Sequence, residues 1–218
     1  LNSKFGNKDP INFINKLDKL GKLSKFSGLA FHVGSNCMSS NSYKNTLDNI
    51  INIMNVTNII PNIIDIGGGF NKSVNMYEIS KIVSNFIDQY PTIKYIAEPG
   101  RFMVEDIMDL YVTVIGKSGN KIFINNSIYG DFNSITYDHK IPTFEIYKSK
   151  SNPNSNILYE YNIYGGTCDS MDIICKSVLS REINEGDILK FHNFGAYSIS
   201  SRTEFNGIKV AGLLIKYI

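Results

Sequence analysis

Cysteine is scarce in this chain: Cys37, Cys168 and Cys175 are the only three in 218 residues. Their number is odd and none sits at a close zinc-ligand spacing. That argues against a disulfide framework or a zinc site and for a reducing, cytosolic setting. An excess of charge of either sign is also missing. The 22 basic and 20 acidic residues leave a formal net charge of +2, and the basic residues form no long run. Neither a nucleic-acid groove nor a helix lying on a membrane surface is indicated. No apolar run approaches the ~18 residues of a membrane span, and the opening carries no signal-peptide pattern. Apolar material itself is plentiful, at 43% of residues, enough for one large domain or two modest ones. Asn and Ile are abundant throughout, which reads as compositional drift. Residue 1 is Leu rather than Met, and Leu1-Asn2-Ser3-Lys4-Phe5-Gly6 reads like the middle of a strand-to-loop passage. The expectation is the C-terminal part of a longer protein.

The first hundred residues alternate helical and extended patterns. Asp9-Pro10 offers an N-cap acid and then proline at the first helical position. Ile11, Ile14, Leu17 and Leu20 follow at helical spacing up to Gly21. Residues 28–33 form a short apolar run ending in Gly34-Ser35, a strand feeding a loop. Residues 43–56 predict a helix with Leu47, Ile50, Ile51 and Met54 on one face. Residues 62–66 predict a buried strand closed by Gly67-Gly68-Gly69. Residues 77–90 predict a third helix, with Ile79, Ile82, Val83 and Phe86 apolar. The run Tyr95-Ile96-Ala97 then ends a strand that delivers Glu98-Pro99-Gly100-Arg101. This alternation argues for parallel βα units, whose chemistry gathers at the strands' C-terminal ends. Three units suit half of a barrel or part of an open sheet.

Beyond Arg101 the pattern turns to strands, at 109–115, 121–125, 143–147, 158–164, 187–191 and 208–218, with a polar loop at 149–156. The second half therefore reads as a mostly β sandwich or barrel, with the boundary near 101–108. There is no internal repeat.

Several residue groups could carry chemistry. Glu98 and Arg101 put a carboxylate and a two-pronged guanidinium at a strand end, suited to a ligand that is cationic at one point and anionic at another. Alone they also read as a weak surface pair beside a turn. Gly67-Gly68-Gly69 lets backbone N–H groups approach an anion, or simply makes a tight turn. His32 ends a strand and by itself suits a core histidine; Ser35 suits a phosphate contact or an ordinary turn. Cys168-Asp169, after Gly165-Gly166, could supply a proton donor and a carboxylate for an amine, or be a half-buried structural pair. Tyr137-Asp138-His139 could hold a cationic substrate end or cap a strand, and Tyr197 follows a Gly turn.

Taken in order, these pieces form a series: Phe31-His32-Val33-Gly34-Ser35, Asp65-Ile66-Gly67-Gly68-Gly69-Phe70, Ala97-Glu98-Pro99-Gly100-Arg101, Tyr129-Gly130-Asp131-Phe132-Asn133, Tyr137-Asp138-His139, Gly166-Thr167-Cys168-Asp169, Gly195-Ala196-Tyr197 and Phe205-Asn206-Gly207. On this series the chain resembles the ornithine decarboxylase branch of the alanine-racemase-like, pyridoxal-phosphate-dependent decarboxylases. The resemblance implies an α/β plus β fold. Residues 1–104 would be the latter part of a (β/α)8 TIM-like barrel, and residues 105–218 a mostly β C-terminal domain completing a dimeric active site. It implies that His32 stacks on the pyridine ring of pyridoxal 5'-phosphate and that Glu98 pairs with the ring nitrogen, keeping the ring able to accept electrons. Ser35, Gly67, Gly68, Gly69, Gly100, Arg101 and Tyr197 would hold the phosphate. Tyr137, Asp138, Asp169 and Phe205, with Asn206, would line the substrate site, the two acids at the distal amine. Cys168 would steer protonation. Cys168 and Asp169 would reach into the partner subunit of a homodimer, and Lys4 would pair with Asp172 across that interface.

The sequence also departs from the family. The lysine that anchors the cofactor belongs to the first part of the barrel, and no lysine here sits in a matching motif. Asn126-Ser127 replaces Asp-Gly, Asn71 replaces a Pro, and Tyr164-Gly165-Gly166 replaces Trp-Gly-Pro. Two functions follow as expectations. One is a cytoplasmic, homodimeric decarboxylase of a basic amino acid, first ornithine to putrescine in polyamine biosynthesis, with lysine or arginine open. The other is an inactive homologue that binds a regulatory protein partner.

Overall fold

Helix α1, Pro10–Lys19, starts where the sequence places a cap: the Asn12 amide donates to Asp9 Oδ1 at 3.0 Å. The computed structural model describes residues 5–35, 37–70, 72, 74–138, 142–149 and 157–215, without the side chains of Tyr137 and Asp138. Only Ile14 of the α1 stripe is fully buried; Leu20 forms the C-cap and is mostly exposed. Strand β1 (Gly28–Ala30), α2 (Ser40–Thr57), β2 (Ile63–Asp65), α3 (Met76–Gln89) and β3 (Lys94–Ile96) follow as alternating elements. The strands pair in parallel in the order β1-β2-β3, with Leu29 opposite Ile64 and Ile64 opposite Tyr95. Parallel strands need crossovers, and α2 and α3 supply them.

Helix α2 packs against α1 and α3. Tyr43, Leu47, Ile50 and Met54 of α2 bury a stripe against Ile64 of the central strand, with Ile79 and Phe86 of α3 completing that core. The four α2 residues recur at spacings of three and four, which puts them on one helix face. Asn58, in the left-handed region at φ 54°, ends α2. Asn75 caps α3 by accepting from the Tyr77 amide. The three βα units of the sequence reading are therefore present. The closed eightfold barrel implied by the resemblance would need strands beyond these three.

Residues 1–102 and 103–218 form two compact units. Helix α4 (Gly100–Val104) spans the division. The second unit contains β4 (Leu110–Ser118), β5 (Lys121–Ile124), a single turn of helix α5 (Ile135–Asp138), β6 (Phe144–Lys148), β7 (Tyr159–Tyr164), β8 (Ile173–Ser180) and β9 (Ile188–Phe191). They make one six-stranded sheet in the order β6-β9-β4-β5-β7-β8, antiparallel except for β5 beside β7. Val112, Val114, Ile122, Ile124, Ile163, Ile174 and Leu189 alternate inward along their strands. Phe132 is fully buried and meets Phe191 and Phe194 edge-on at 4.9 and 5.1 Å.

Two strand expectations are corrected. Strand β8 was missing from the sequence reading; its apolar alternation is broken by Lys176-Ser177, and Ser177 sits at φ 52° where the pairing slips between Tyr161 and Ile163. The expected strand at 208–218 is not one through residue 215, and 216–218 lie outside the described residues. Side chains take its backbone groups instead: the Ala211 amide donates to Asp131 Oδ2 at 2.9 Å and its carbonyl accepts from Arg202 Nη1 at 3.1 Å. Among the described residues, no helix is long and apolar enough to cross a membrane, and no group of His, Cys, Asp or Glu could hold a metal ion.

Candidate active site

In the first unit, the C-terminal ends of β1, β2 and β3 are tied to one another by their loops. The Gly67 amide donates to Asp65 Oδ1 at 2.8 Å, and the Glu98 amide donates to the Gly67 carbonyl at 2.8 Å. The Cys37 amide donates to the Gly69 carbonyl at 3.1 Å. The buried Tyr43 hydroxyl donates to the Gly68 carbonyl at 3.1 Å. Burial, helped by Cys37, holds the Tyr43 phenol well above its ordinary pKa, so it stays a donor.

These bonds leave a cradle made of glycine. Gly67 and Gly69 have φ of 62° and 90°. A Cβ on Gly68 would lie 2.9 Å from the Glu98 carbonyl and 3.1 Å from His32 Nε2, and one on Gly69 would lie 2.4 Å from the Gly34 carbonyl. Only glycine fits here. Among the described residues the Gly68 and Gly69 amides donate to nothing, so they can serve an anion. His32 is exposed, and its Nδ1 accepts from the Gly34 amide at 2.9 Å. That leaves the proton of the neutral ring on Nε2, beside Gly68. Glu98 is exposed, Ser35 is exposed in the turn after Gly34, and Arg101 is half-buried in α4 after Gly100. His32, Gly67, Gly68, Gly69 and Glu98 are thus brought together. An open-faced imidazole, free glycine amides and an exposed carboxylate at one sheet end fit a flat, phosphorylated, ring-nitrogen ligand.

In the second unit, Cys168 is exposed and Asp169 half-buried. Asp169 Oδ2 accepts from the Tyr129 hydroxyl at 2.5 Å, and Oδ1 from the Met171 amide at 2.9 Å. These two bonds, in that order, hold the Asp169 carboxyl below the usual range. The Phe205 ring lies 4.6 Å from the Tyr129 ring, so Phe205 joins the same cluster. Sequence reasoning gave Tyr129 no role. It stood inside a quoted motif, but nothing in the 40-residue separation signals its contact with Asp169.

Tyr197 is exposed and in the left-handed region at φ 64°, uncommon for a side chain of its size. The loop around it is fixed: the Gly195 amide donates to Glu105 and Asn133 Nδ2 to the Ser198 carbonyl, both within 2.9 Å. Tyr137 and Asp138 close α5; their side chains, and His139, lie outside the described residues. Asp172 was expected to face Lys4 of a partner. It is 2% exposed, and its carboxylate accepts from the Ile128 amide, the Thr167 amide and the Thr167 hydroxyl. These three bonds lie within its own chain, and Lys4 lies outside the described residues.

Residues 36–195 match the family described as pyridoxal-dependent decarboxylase, C-terminal sheet domain. Antizyme inhibitor 2 of Xenopus laevis is 32% identical over 209 residues, covering 84% of this chain and 45% of the relative. Ornithine decarboxylase of Caenorhabditis elegans is 31% identical over 235 residues, covering 95% and 55%. The chain thus spans about half the length of these curated relatives. Among solved structures, the arginine decarboxylase of Paramecium bursaria Chlorella virus, bound to agmatine, superposes with a TM-score of 0.82 at 30% identity, over 95% of this chain and 59% of that one. A match over residues 36–195 takes in both the glycine cradle and the Cys168-Asp169 loop, and on it the chain belongs to the pyridoxal-dependent decarboxylase family.

Proposed function

We propose that this chain is part of a pyridoxal-phosphate-dependent decarboxylase of a basic amino acid, with L-ornithine, giving putrescine, the first substrate to test. The observation that carries the reading is the meeting of the His32 ring, the open glycine amides and Glu98 at one end of the first unit's sheet. Bound pyridoxal phosphate would supply the electron-accepting ring on which the substrate's carboxylate is lost. Ser35, the Gly68 and Gly69 amides, Arg101 and Tyr197 would hold its phosphate, and Gly67 and Gly100, whose amides donate to Asp65 and to the Glu98 carbonyl, would shape the loops around it. His32 would cover one ring face, and Glu98 would keep the proton on the ring nitrogen. Cys168 would deliver a proton to the substrate carbon after CO₂ leaves. Asp138 and Asp169, beside Tyr137 and Phe205, would hold the distal ammonium, which excludes neutral amino acids. A latter half-barrel, a homodimer with shared sites and a cytosolic setting belong to the same proposal.

The reading needs a lysine from outside these 218 residues. The 32% identity to an antizyme inhibitor favours a second reading, a homologue that acts by binding a regulatory protein. Against it, His32, Glu98, Arg101, Cys168, Asp169 and Tyr197 are all present. Borohydride reduction of the natural protein with pyridoxal phosphate, followed by peptide mass spectrometry, separates the two. One modified lysine outside the segment, with CO₂ release from ornithine, lysine or arginine, supports the enzyme. No specific adduct and no CO₂ release leaves the binding protein.

A further inference from the structure

The contact between Tyr129 and Asp169 has no part in the roles given so far, and it is closely supported. The Tyr129 hydroxyl reaches Asp169 Oδ2 while the Phe205 ring packs 4.6 Å from the phenol. The Tyr129 amide donates to Ser127 Oγ at 3.2 Å. Its carbonyl accepts from the Thr203 amide at 2.8 Å and the Thr203 hydroxyl at 3.0 Å. The phenol is therefore anchored on its ring and on both sides of its backbone. Asp169 Oδ1 is occupied once, by the Met171 amide. Each carboxylate oxygen has two acceptor directions, so one on each oxygen is left for a cation.

We propose that Tyr129 is a positioning residue for the substrate's distal ammonium, fixing the Asp169 carboxylate through its phenol. This deepens the decarboxylase reading and rests on it. A carboxylate free to rotate would lose orientation on meeting a small cation; one already held by the phenol does not. The same hydrogen bond is the largest cause of the lowered Asp169 pKa, ahead of the Met171 amide, with slight desolvation opposing. It also raises the Tyr129 pKa, assisted by desolvation and by the charges of Asp169 and Asp172. Among the described residues, the titratable groups beside this pair are Asp172, whose charge acts on Tyr129, and Cys168, next to Asp169 in the chain.

The test is Tyr129→Phe in the whole holoenzyme, with Asp169→Asn beside it. Tyr129→Phe should raise KM for the basic amino acid about tenfold, with kcat changed less than about twofold. Its acidic limb of kcat/KM should move to higher pH, because loss of the hydrogen bond raises the Asp169 pKa. A merely structural role would lower Tm and leave that limb in place. Unchanged KM and an unchanged limb in folded Tyr129→Phe overturn the proposal. So does unchanged KM in Asp169→Asn, which leaves the decarboxylase reading standing. Should the wild-type protein release no CO₂, that reading fails and calorimetric titration with butane-1,4-diamine decides the proposal. Affinity about tenfold weaker in Tyr129→Phe supports it; equal affinity, or no binding by the wild type, overturns it.

Discussion

The backbone at Gly68 has neighbours where a side chain would stand, and they belong to the two groups that flank the proposed cofactor. Overpacking of this kind costs about 1–3 kcal/mol, so Gly68→Ala should weaken pyridoxal phosphate binding about tenfold or more in an absorbance titration. Unchanged affinity would remove the cradle from the site. The triple glycine and its use toward an anion were legible from sequence, but the contacts that shape it were not. The reach of the Tyr43 hydroxyl to the Gly68 carbonyl depends on segments 25 residues apart meeting in space, and the hold of the Gly34 amide on His32 Nδ1 depends on the local turn. A second prediction concerns Cys175, whose thiol is pushed up to about 12 by burial, against a weaker pull from the Ile163 backbone hydrogen bond. An unfolded thiol ionises near ~8.5. The folded pKa is the higher one, so this contribution to stability is complete below pH ~8.5 and is lost as pH rises from there toward about 12. Tm should fall across that range, and less steeply in Cys175→Ala. Native protein should react with a thiol reagent at exposed Cys168 and not at Cys175; labelling of both at one rate would contradict the burial.

At the scale of elements, the βα alternation was legible because apolar stripes at helical spacing and short apolar runs differ in period. Tyr43, Leu47, Ile50 and Met54 are buried along one side of α2. What escaped were β8, whose apolar alternation breaks at Lys176-Ser177, and segments whose backbone partners are side chains. The tail through Ala211 looks like a strand by composition, yet Asp131 and Arg202 claim its amide and carbonyl. Asp172 works in the same way on the loops around β5 and β7. Its carboxylate gathers three donors from Ile128 and Thr167, and a Cβ on Gly165 would lie 2.1 Å from its Oδ1. Asp172→Ala strands those donors and should cost about 3 kcal/mol or more in urea unfolding. Gly165→Ala should do comparable damage by displacing the carboxylate. If Asp172→Ala unfolds at the wild-type midpoint and loses only dimerisation, the acid belongs to an interface after all.

For the whole molecule, the question is where a complete site is assembled. The cradle lies in the first unit and the Cys168-Asp169-Tyr129 cluster in the second, and the proposal supplies them to one substrate from two subunits. In a symmetric dimer such sharing has an arithmetical signature. Cys168→Ala in one subunit and a variant of the cofactor-anchoring lysine in the other leave each homodimer inactive. Random mixing makes half of the dimers mixed, and in each of these one of the two sites receives both intact contributions. Activity should therefore recover to about a quarter of wild type. Sites built within single subunits would give no recovery, since no subunit carries both intact groups. Subunit exchange, proved independently by mass-tagged chains, makes either result decisive. Recovery would also give Cys168 a catalytic place, which its exposure in the isolated chain permits but does not assign.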